Sequence, residues 1–351
     1  MQNGIIILRK RNLMIKIRLI DPRLHRNETS FRPFRNLREE FKDIGIEFIY
    51  DGDSYDFAFV GQASIIDKKV SLEESVEKGL NFLRTITGNY IILDGQDSTA
   101  LIGTIDVFRH VYTNNNCKLF LKNSYLKDFD QYKKPWVNGR IYWGEGNYSV
   151  PDIDTLKPKM KLSGCNWLNT IPYRFFPYNG KHYDVSCMFT YPSLKPVYEH
   201  GLLQSEYYDK HREELLKILG NRYNIAKLGT VTRVDQNVYY NMMANSKIIM
   251  APLGYGEMAP RDLESAVLGG ILMKPNLDYL WTMPNIYVPG ETYVDVKYDW
   301  SDLLEKINEI LSKYEYYQKY YVENMRKKIT EEIDKTKFIS YVYQFLTKEN
   351  N

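Results

Sequence analysis

Cysteine is almost missing from this sequence. Cys117, Cys165 and Cys187 are the three in 351 residues, an odd number, widely spaced and without a Cys-x-x-Cys pair. That excludes a disulfide framework or a zinc cluster as the organising device and predicts three reduced, partly buried thiols. Long apolar runs are absent too, since none approaches the roughly 18 uncharged residues that span a bilayer. The start, MQNGIIILRKRNLMIKIRLI, places its basic residues after the apolar tetrad and offers no small-residue cleavage site. It therefore does not read as a secretory signal. A cytoplasmic protein is expected, with residues 1–13 as a leader and the fold starting at Met14. Histidine is sparse, and His182, His200 and His211 show no paired ligand spacing. Low-complexity linkers and long internal repeats are also lacking.

Charge of one sign is nearly balanced, with a net of +3, but it is unevenly spread. Between Arg9 and Arg38 ten Lys/Arg face two acids, a local +8, which leaves −5 for the rest of the chain. A basic N-terminal region suits an anionic surface, phosphate or nucleic acid as partner. The length exceeds one ordinary core and fits two domains of roughly 150 to 180 residues.

What is present alternates between strand and helix signals. MIKIRLID, IEFIY, FAFVG, YIILDG and CKLFLK read as strands. FRPFRNLREEFKDIG reads as one amphipathic helix, and SLEESVEKGLNFLRTI as another, with Ser71 and Glu74 spaced as a capping box. From about Tyr142 to Lys181 periodicity fails, and Pro, Gly, Asn and aromatics dominate. YDVSCMFTYP, YNIAKLG, KIIMAPLG, ILMKP and NIYVPG then read as strands, separated by helices such as SEYYDKHREELLKILG and VDQNVYYNMMANS. The tail from WSDLL onward is helical throughout. This order predicts an α/β protein with two doubly wound, Rossmann-like lobes. The expected division is an N-terminal lobe over 14–175, a C-terminal lobe over 181–315, and helices over 316–351 packing back on the first lobe. A cleft between two such lobes, beyond the carboxyl ends of the strands, is the expected site.

The stretch APLGYGEMAPRDLESAVLGG, Ala251 to Gly270, carries the densest chemistry. Gly254 and Gly256 flank Tyr255 in a strand-to-helix loop and allow backbone to approach a ligand closely. Pro260 suits a first helical turn, and Arg261 and Glu264 share a helix face. A guanidinium beside the N–H groups of a helix start is a phosphate site, and a carboxylate one turn on can take the two hydroxyls of a ribose.

The order of elements from Lys227 to about Asp299, with SKI…P.G.GE…RDxE…GG.L..P, resembles the donor-binding lobe of GT-B glycosyltransferases, especially exostosin-like and capsule-type (group 1-like) members. The resemblance implies that Arg261 meets the donor diphosphate and Glu264 its ribose. It also implies that LGTV, with Gly229 and Val231, lies near the nucleobase, and Arg212 in HREELL is a further phosphate candidate. Many retaining members carry two glutamates with seven residues between them. Here six residues separate Glu257 from Glu264, and Gly256 holds the expected place, so Glu257 departs from the pattern, though it is counted with Tyr255 among the donor-binding candidates.

Glycosyl transfer also needs a base when the mechanism inverts. Asp94 and Asp97 in LDGQDS follow a strand directly and are the preferred catalytic candidates; Asp21 with His25, and His110, are others. The DGD at Asp51–Asp53 has the residue types of a hard-cation site but reads as a glycine turn. No cofactor beyond the nucleotide sugar and no metal is implied, and the acceptor is expected to be a glycan or another hydroxyl compound. Two further readings share the sequence: a nucleotide-sugar epimerase, and a binding module with a degenerate donor site. The 30 tyrosines invite stacking on sugar rings, but no stripe of them stands out in the sequence.

Overall fold

The computed structural model describes residues 14–22, 31–111, 115–164, 175–177, 181–193, 195–227 and 234–348. The first sheet is built from β1 (Ile15–Ile20), β2 (Ile46–Ile49), β3 (Phe57–Gly61), β4 (Asn89–Asp94) and β5 (Cys117–Lys122). β6 (Ser124–Leu126) leaves it, and β7 (Met160–Leu162) returns to its edge, giving the order β2-β1-β3-β4-β5-β7, parallel throughout. Every residue of β3 is buried, as are five of the six in β4. Such near-continuous apolar strands belong to a parallel sheet covered on both faces.

The second lobe begins with β8 (Tyr183–Cys187). A hairpin of β9 (Tyr198–Glu199) and β10 (Leu202–Leu203) follows, then β11 (Ile225–Lys227), β12 (Ser246–Met250) and β13 (Ile271–Pro275). β14 (Leu280–Thr282) and β15 (Val294–Val296) complete the set. Five of these strands form a parallel sheet ordered β11-β8-β12-β13-β15. β14 instead pairs antiparallel with β6, so a two-stranded ribbon stitches one lobe to the other. The chain is thus a two-lobed, doubly wound α/β protein.

The local signals act as their chemistry requires. Ser71 caps the helix Leu72–Leu83 by accepting from the Glu74 backbone N–H at 3.2 Å. Gly220, at φ 50°, ends the helix Ser205–Leu219 in a conformation that favours glycine. Three sequence expectations differ from the structure. The segment after Phe31 is two short helices, Arg32–Asn36 and Arg38–Asp43, because Leu37 leaves helical geometry at φ −106°, ψ 19°. The aperiodic stretch contains β7, only three residues long and too short to show a period. NIYVPG is not a strand. Val288 instead closes a turn with Thr292, and β15 supplies the sheet edge.

The tail forms helices Leu303–Ser312, Tyr314–Glu332 and Lys335–Lys348. The last of these buries Phe338, Val342, Phe345 and Leu346 in one cluster with Phe31, Phe34 and Phe41 of the first lobe. Each fully buried ring there contributes roughly 1.5–3 kcal/mol relative to exposure. Arg326 on the preceding helix donates to the carbonyls of Ala266 (2.8 Å) and Phe176 (2.7 Å). Cys117 and Cys187 are buried free thiols, and burial pushes both up to about 12. Cys165 lies outside the described residues. No helix among the described residues is long and apolar enough to cross a membrane.

Candidate functional site

β12 ends at Met250, and the loop Ala251–Ala259 leads into the helix Pro260–Val267. Alanine cannot cap a helix with its own side chain. The Asp262 carboxylate does so instead, accepting from the Ala259 N–H at 3.0 Å. Asp262 is fully buried, and Lys274 of β13 donates to it at 2.5 Å while Tyr287 donates at 2.8 Å. The same ammonium reaches the Glu257 carbonyl at 2.9 Å. Burial lowers the Lys274 pKa and Asp262 opposes that shift. Lys274 therefore clamps loop to helix start and fixes where Arg261 emerges.

Arg261 donates to the Met188 carbonyl at 2.8 Å, and Arg212, on the helix Ser205–Leu219, donates to the Thr190 carbonyl at 2.9 Å. The Phe189 ring lies 6.0 Å from one guanidinium and 5.7 Å from the other. Both Nε groups are buried without a partner among the described residues. A Cβ on Gly254 would lie 2.9 Å from an Arg212 nitrogen, so glycine is what lets the loop sit against that guanidinium. Burial, then the neighbouring Arg261 charge, lowers Arg212 to about 10. Two crowded cations with spare donors beside a helix N-terminus form a site for an anion carrying several oxygens.

Glu264 sits one turn on, nearly buried, and accepts from the hydroxyls of Tyr239 (2.8 Å) and Tyr240 (3.3 Å) on the helix Gln236–Ala244. Burial raises its pKa, against the tyrosine bond and the Arg261 charge. A vicinal diol entering here would exchange with the tyrosine hydroxyls. Gly229 and Val231 lie outside the described residues.

Glu257 does something else. It is buried and crosses to the first lobe, accepting from the Thr99 N–H at 3.1 Å and the Thr99 hydroxyl at 2.6 Å. Gly256 permits this approach, since a Cβ there would meet the Asp97 carbonyl oxygen at 2.4 Å. Tyr255 completes the interlobe contact. Its hydroxyl donates to Glu199 and accepts from Lys68 at 2.9 Å, and its carbonyl accepts from Arg140 Nε at 3.0 Å. Burial disfavours charge on both Lys68 and Glu199, but their 2.9 Å ion pair outweighs it, raising the lysine and lowering the glutamate.

The first-lobe candidates separate clearly. Asp94 has no exposure and pairs with the equally buried Lys122 at 3.4 Å. A carboxylate held there does not face an acceptor hydroxyl, so the expectation that Asp94 acts as base has no geometry behind it. Asp97 is exposed and lines an interlobe cavity of about 340 Å³ with Gln62, Lys68, Gln96 and Tyr255. A second cavity of about 450 Å³, walled by Arg18, Asp21, Tyr50 and Ser64, shares Ala63 with the first. Asp21 is nearly buried, His110 is exposed on the helix Thr104–Val111, and His25 lies outside the described residues. Asp53 is exposed and pairs with Arg18 at 3.5 Å. No group of three or more His, Cys, Asp or Glu among the described residues is placed to hold a metal ion.

The sequence reading missed Lys274, Tyr239, Tyr240, Lys68, Arg140 and Glu199. A lysine inside the apolar strand ILMKP was a usable signal, because a buried ammonium must have a partner. Nothing local marks Lys68, Arg140 or Glu199, whose meeting depends on the lobes docking.

No family model matches the sequence, and no curated protein matches it at a significant level. Solved structures do match. The sucrose-phosphate synthase of Thermosynechococcus elongatus superposes with a TM-score of 0.52 at 11% identity, covering 95% of this chain and 98% of that one. HepE of Anabaena in complex with UDP-glucose gives a TM-score of 0.49 at 11% identity, covering 95% and 100%. The first likeness extends to the whole architecture. Two parallel, Rossmann-like lobes followed by C-terminal helices define this chain as a GT-B fold.

Proposed function

We propose that this chain is a glycosyltransferase that moves a hexose-like sugar from a UDP- or GDP-linked donor to a glycan or another hydroxyl acceptor, without a metal. The observation that carries the reading is the pair Arg212 and Arg261, each with a buried Nε that has no partner among the described residues, beside the N-terminus of Pro260–Val267. Residues 181–315 would bind the donor and residues 14–175 the acceptor, with 316–351 returning to the first lobe.

In this mechanism the two guanidinium groups and the helix start take up the charge that develops on the departing diphosphate. Glu264 holds the ribose hydroxyls in place of Tyr239 and Tyr240. Gly229 and Val231 flank the base. Gly254 admits the diphosphate close to the backbone, while Tyr255, Gly256 and Glu257 set the approach of the lobes. Asp97 takes the proton from the acceptor hydroxyl as that oxygen bonds to the anomeric carbon and the donor carbon–oxygen bond breaks. The two cavities that share Ala63 would seat the acceptor next to it. The basic N-terminal region would meet an anionic surface.

Release of nucleoside diphosphate from UDP- and GDP-sugars, with and without a hydroxyl acceptor pool, tests this reading. Acceptor-dependent release is expected, and Asp97→Asn should reduce it by about 10²–10⁴-fold at unchanged thermal stability. Donor isomerised without acceptor would mark an epimerase. Salt-sensitive binding with no turnover would mark a binding module.

A further inference from the structure

One built surface lies apart from the residues assigned to transfer. Two cavities of about 630 and 290 Å³ share Tyr142, Trp143 and Tyr298 in their walls. Volumes of this order hold small organic ligands. Arg212, Arg261, Glu264 and Asp97 line neither of them. The walls come from both lobes: Trp143 from the segment after β6, Tyr207 from the helix Ser205–Leu219, and Tyr298 from the turn after β15.

The aromatic faces here differ from the scattered tyrosines elsewhere, because each is backed by a stack. Tyr298 is 37% exposed on one side, and on the other it lies on His211 at 4.3 Å and 8°. His211 lies in turn on Trp300 at 4.5 Å and 19°. Burial lowers His211 to about 4, so this stack is uncharged at neutral pH. The second platform is Tyr207 on Trp143, at 4.8 Å and 14°. Behind Trp143 stands the Arg140 guanidinium at 4.5 Å, and behind that the Tyr255 ring at 4.4 Å. Rings fixed in this way lose little freedom when a ligand packs on them.

The polar parts define the ligand class. Glu206, Glu214, Lys210 and Lys297 reach the rim and cancel in charge. A polyanion would require a positive field, which this rim does not supply. Carboxylates, ammonium groups and the Asn276 amide are hydrogen-bond partners for hydroxyls. Tyr279 lines the larger cavity, and its hydroxyl is buried with no partner among the described residues. Flat apolar ring faces with hydroxyl partners around them match a pyranose, which presents C–H faces and an equatorial belt of hydroxyls.

We propose that this interlobe aromatic groove binds a neutral oligosaccharide at a site separate from the transfer cleft. The proposal stands on the groove itself and does not depend on transfer taking place.

The test is calorimetric titration of the full chain with neutral hexasaccharides of glucose, mannose, galactose, xylose and N-acetylglucosamine. At least one should bind the wild type. Tyr298→Ala and Tyr207→Ala should each weaken that binding at least fivefold, Tyr298→Phe should retain it, and Arg261→Ala should leave it unchanged. Thermal unfolding of each variant identifies a misfolded one, and Lys297→Ser with Glu206→Ser then reads the rim without touching a stack, again with weakened binding expected. Failure of every hexasaccharide to bind the wild type overturns the proposal. So does binding indifferent to the ring and rim substitutions, or binding lost in Arg261→Ala, which would place the sugar in the transfer cleft. Nucleotide binding is measured separately, so the groove and the donor site can fail independently.

Discussion

Under the proposed transfer mechanism, Arg261→Ala is expected to lower kcat/KM for donor-dependent transfer by about 10²–10³-fold, the loss typical of removing one positioned group that stabilises transition-state charge. Arg212 remains, so activity does not vanish. The substitution also relieves the crowding of two cations, so the folded protein should be no less stable by more than the Met188 carbonyl bond, about 1 kcal/mol. Steady-state kinetics beside urea unfolding separates the two effects. Arg261→Lys should recover little, because an ammonium keeps the charge but not the planar fork that matches phosphate oxygens. Unchanged kinetics in Arg261→Ala would remove the diphosphate from this position.

The largest effect on stability is expected at Lys274. Lys274→Met leaves Asp262 fully buried with its principal counter-charge gone, a change that costs about 3–5 kcal/mol when one member of a buried pair is removed. Tyr287 and the Ala259 N–H still donate to Asp262, which places the expectation at the lower end. Adding Asp262→Asn should restore part of the loss, since no buried charge is then left alone. Urea unfolding of the two single variants and the double variant provides the cycle. A Lys274→Met destabilisation below about 1 kcal/mol, the value of an ordinary exposed pair, would contradict the clamp. Activity of the surviving folded fraction should fall as well, because Lys274 ties the Glu257 carbonyl to the start of the Arg261 helix.

The fold was largely legible because its core strands are short, nearly continuous apolar runs with turn residues at their ends. IIMAPLG and YIILDG allowed little else. Short or geometry-dependent parts were not legible. β7 has three residues, and its place beside β5 follows from the sheet edge being free, not from MKL itself. NIYVPG has strand composition, yet a Val288–Thr292 turn takes up its backbone.

The site was legible where chemistry is local and hidden where it is not. Arg261, Pro260 and the glycines lie within one loop and helix start, so spacing places them together. Glu257 lies in the same loop, but its side chain turns to Thr99, 158 residues away in sequence, and only the docking of the lobes determines that. Asp94 and Asp97 look equivalent in LDGQDS. Lys122 on the adjacent strand buries one of them and leaves the other at the cavity. The aromatic groove draws Tyr142, Tyr207 and Tyr298 from three distant segments, which is why no stripe showed in the sequence.

The central claim is that Gly254–Glu264 with Arg212 grips a nucleoside diphosphate. Thermal unfolding of the wild type, Arg261→Ala and Glu264→Ala with UDP, GDP and their hexose conjugates tests it most directly. A ligand at 100 times its dissociation constant should stabilise the wild type by about 2.7 kcal/mol, with most of that gain absent in both variants. No shift of the wild type with any nucleotide, or equal shifts in all three proteins, would contradict the account.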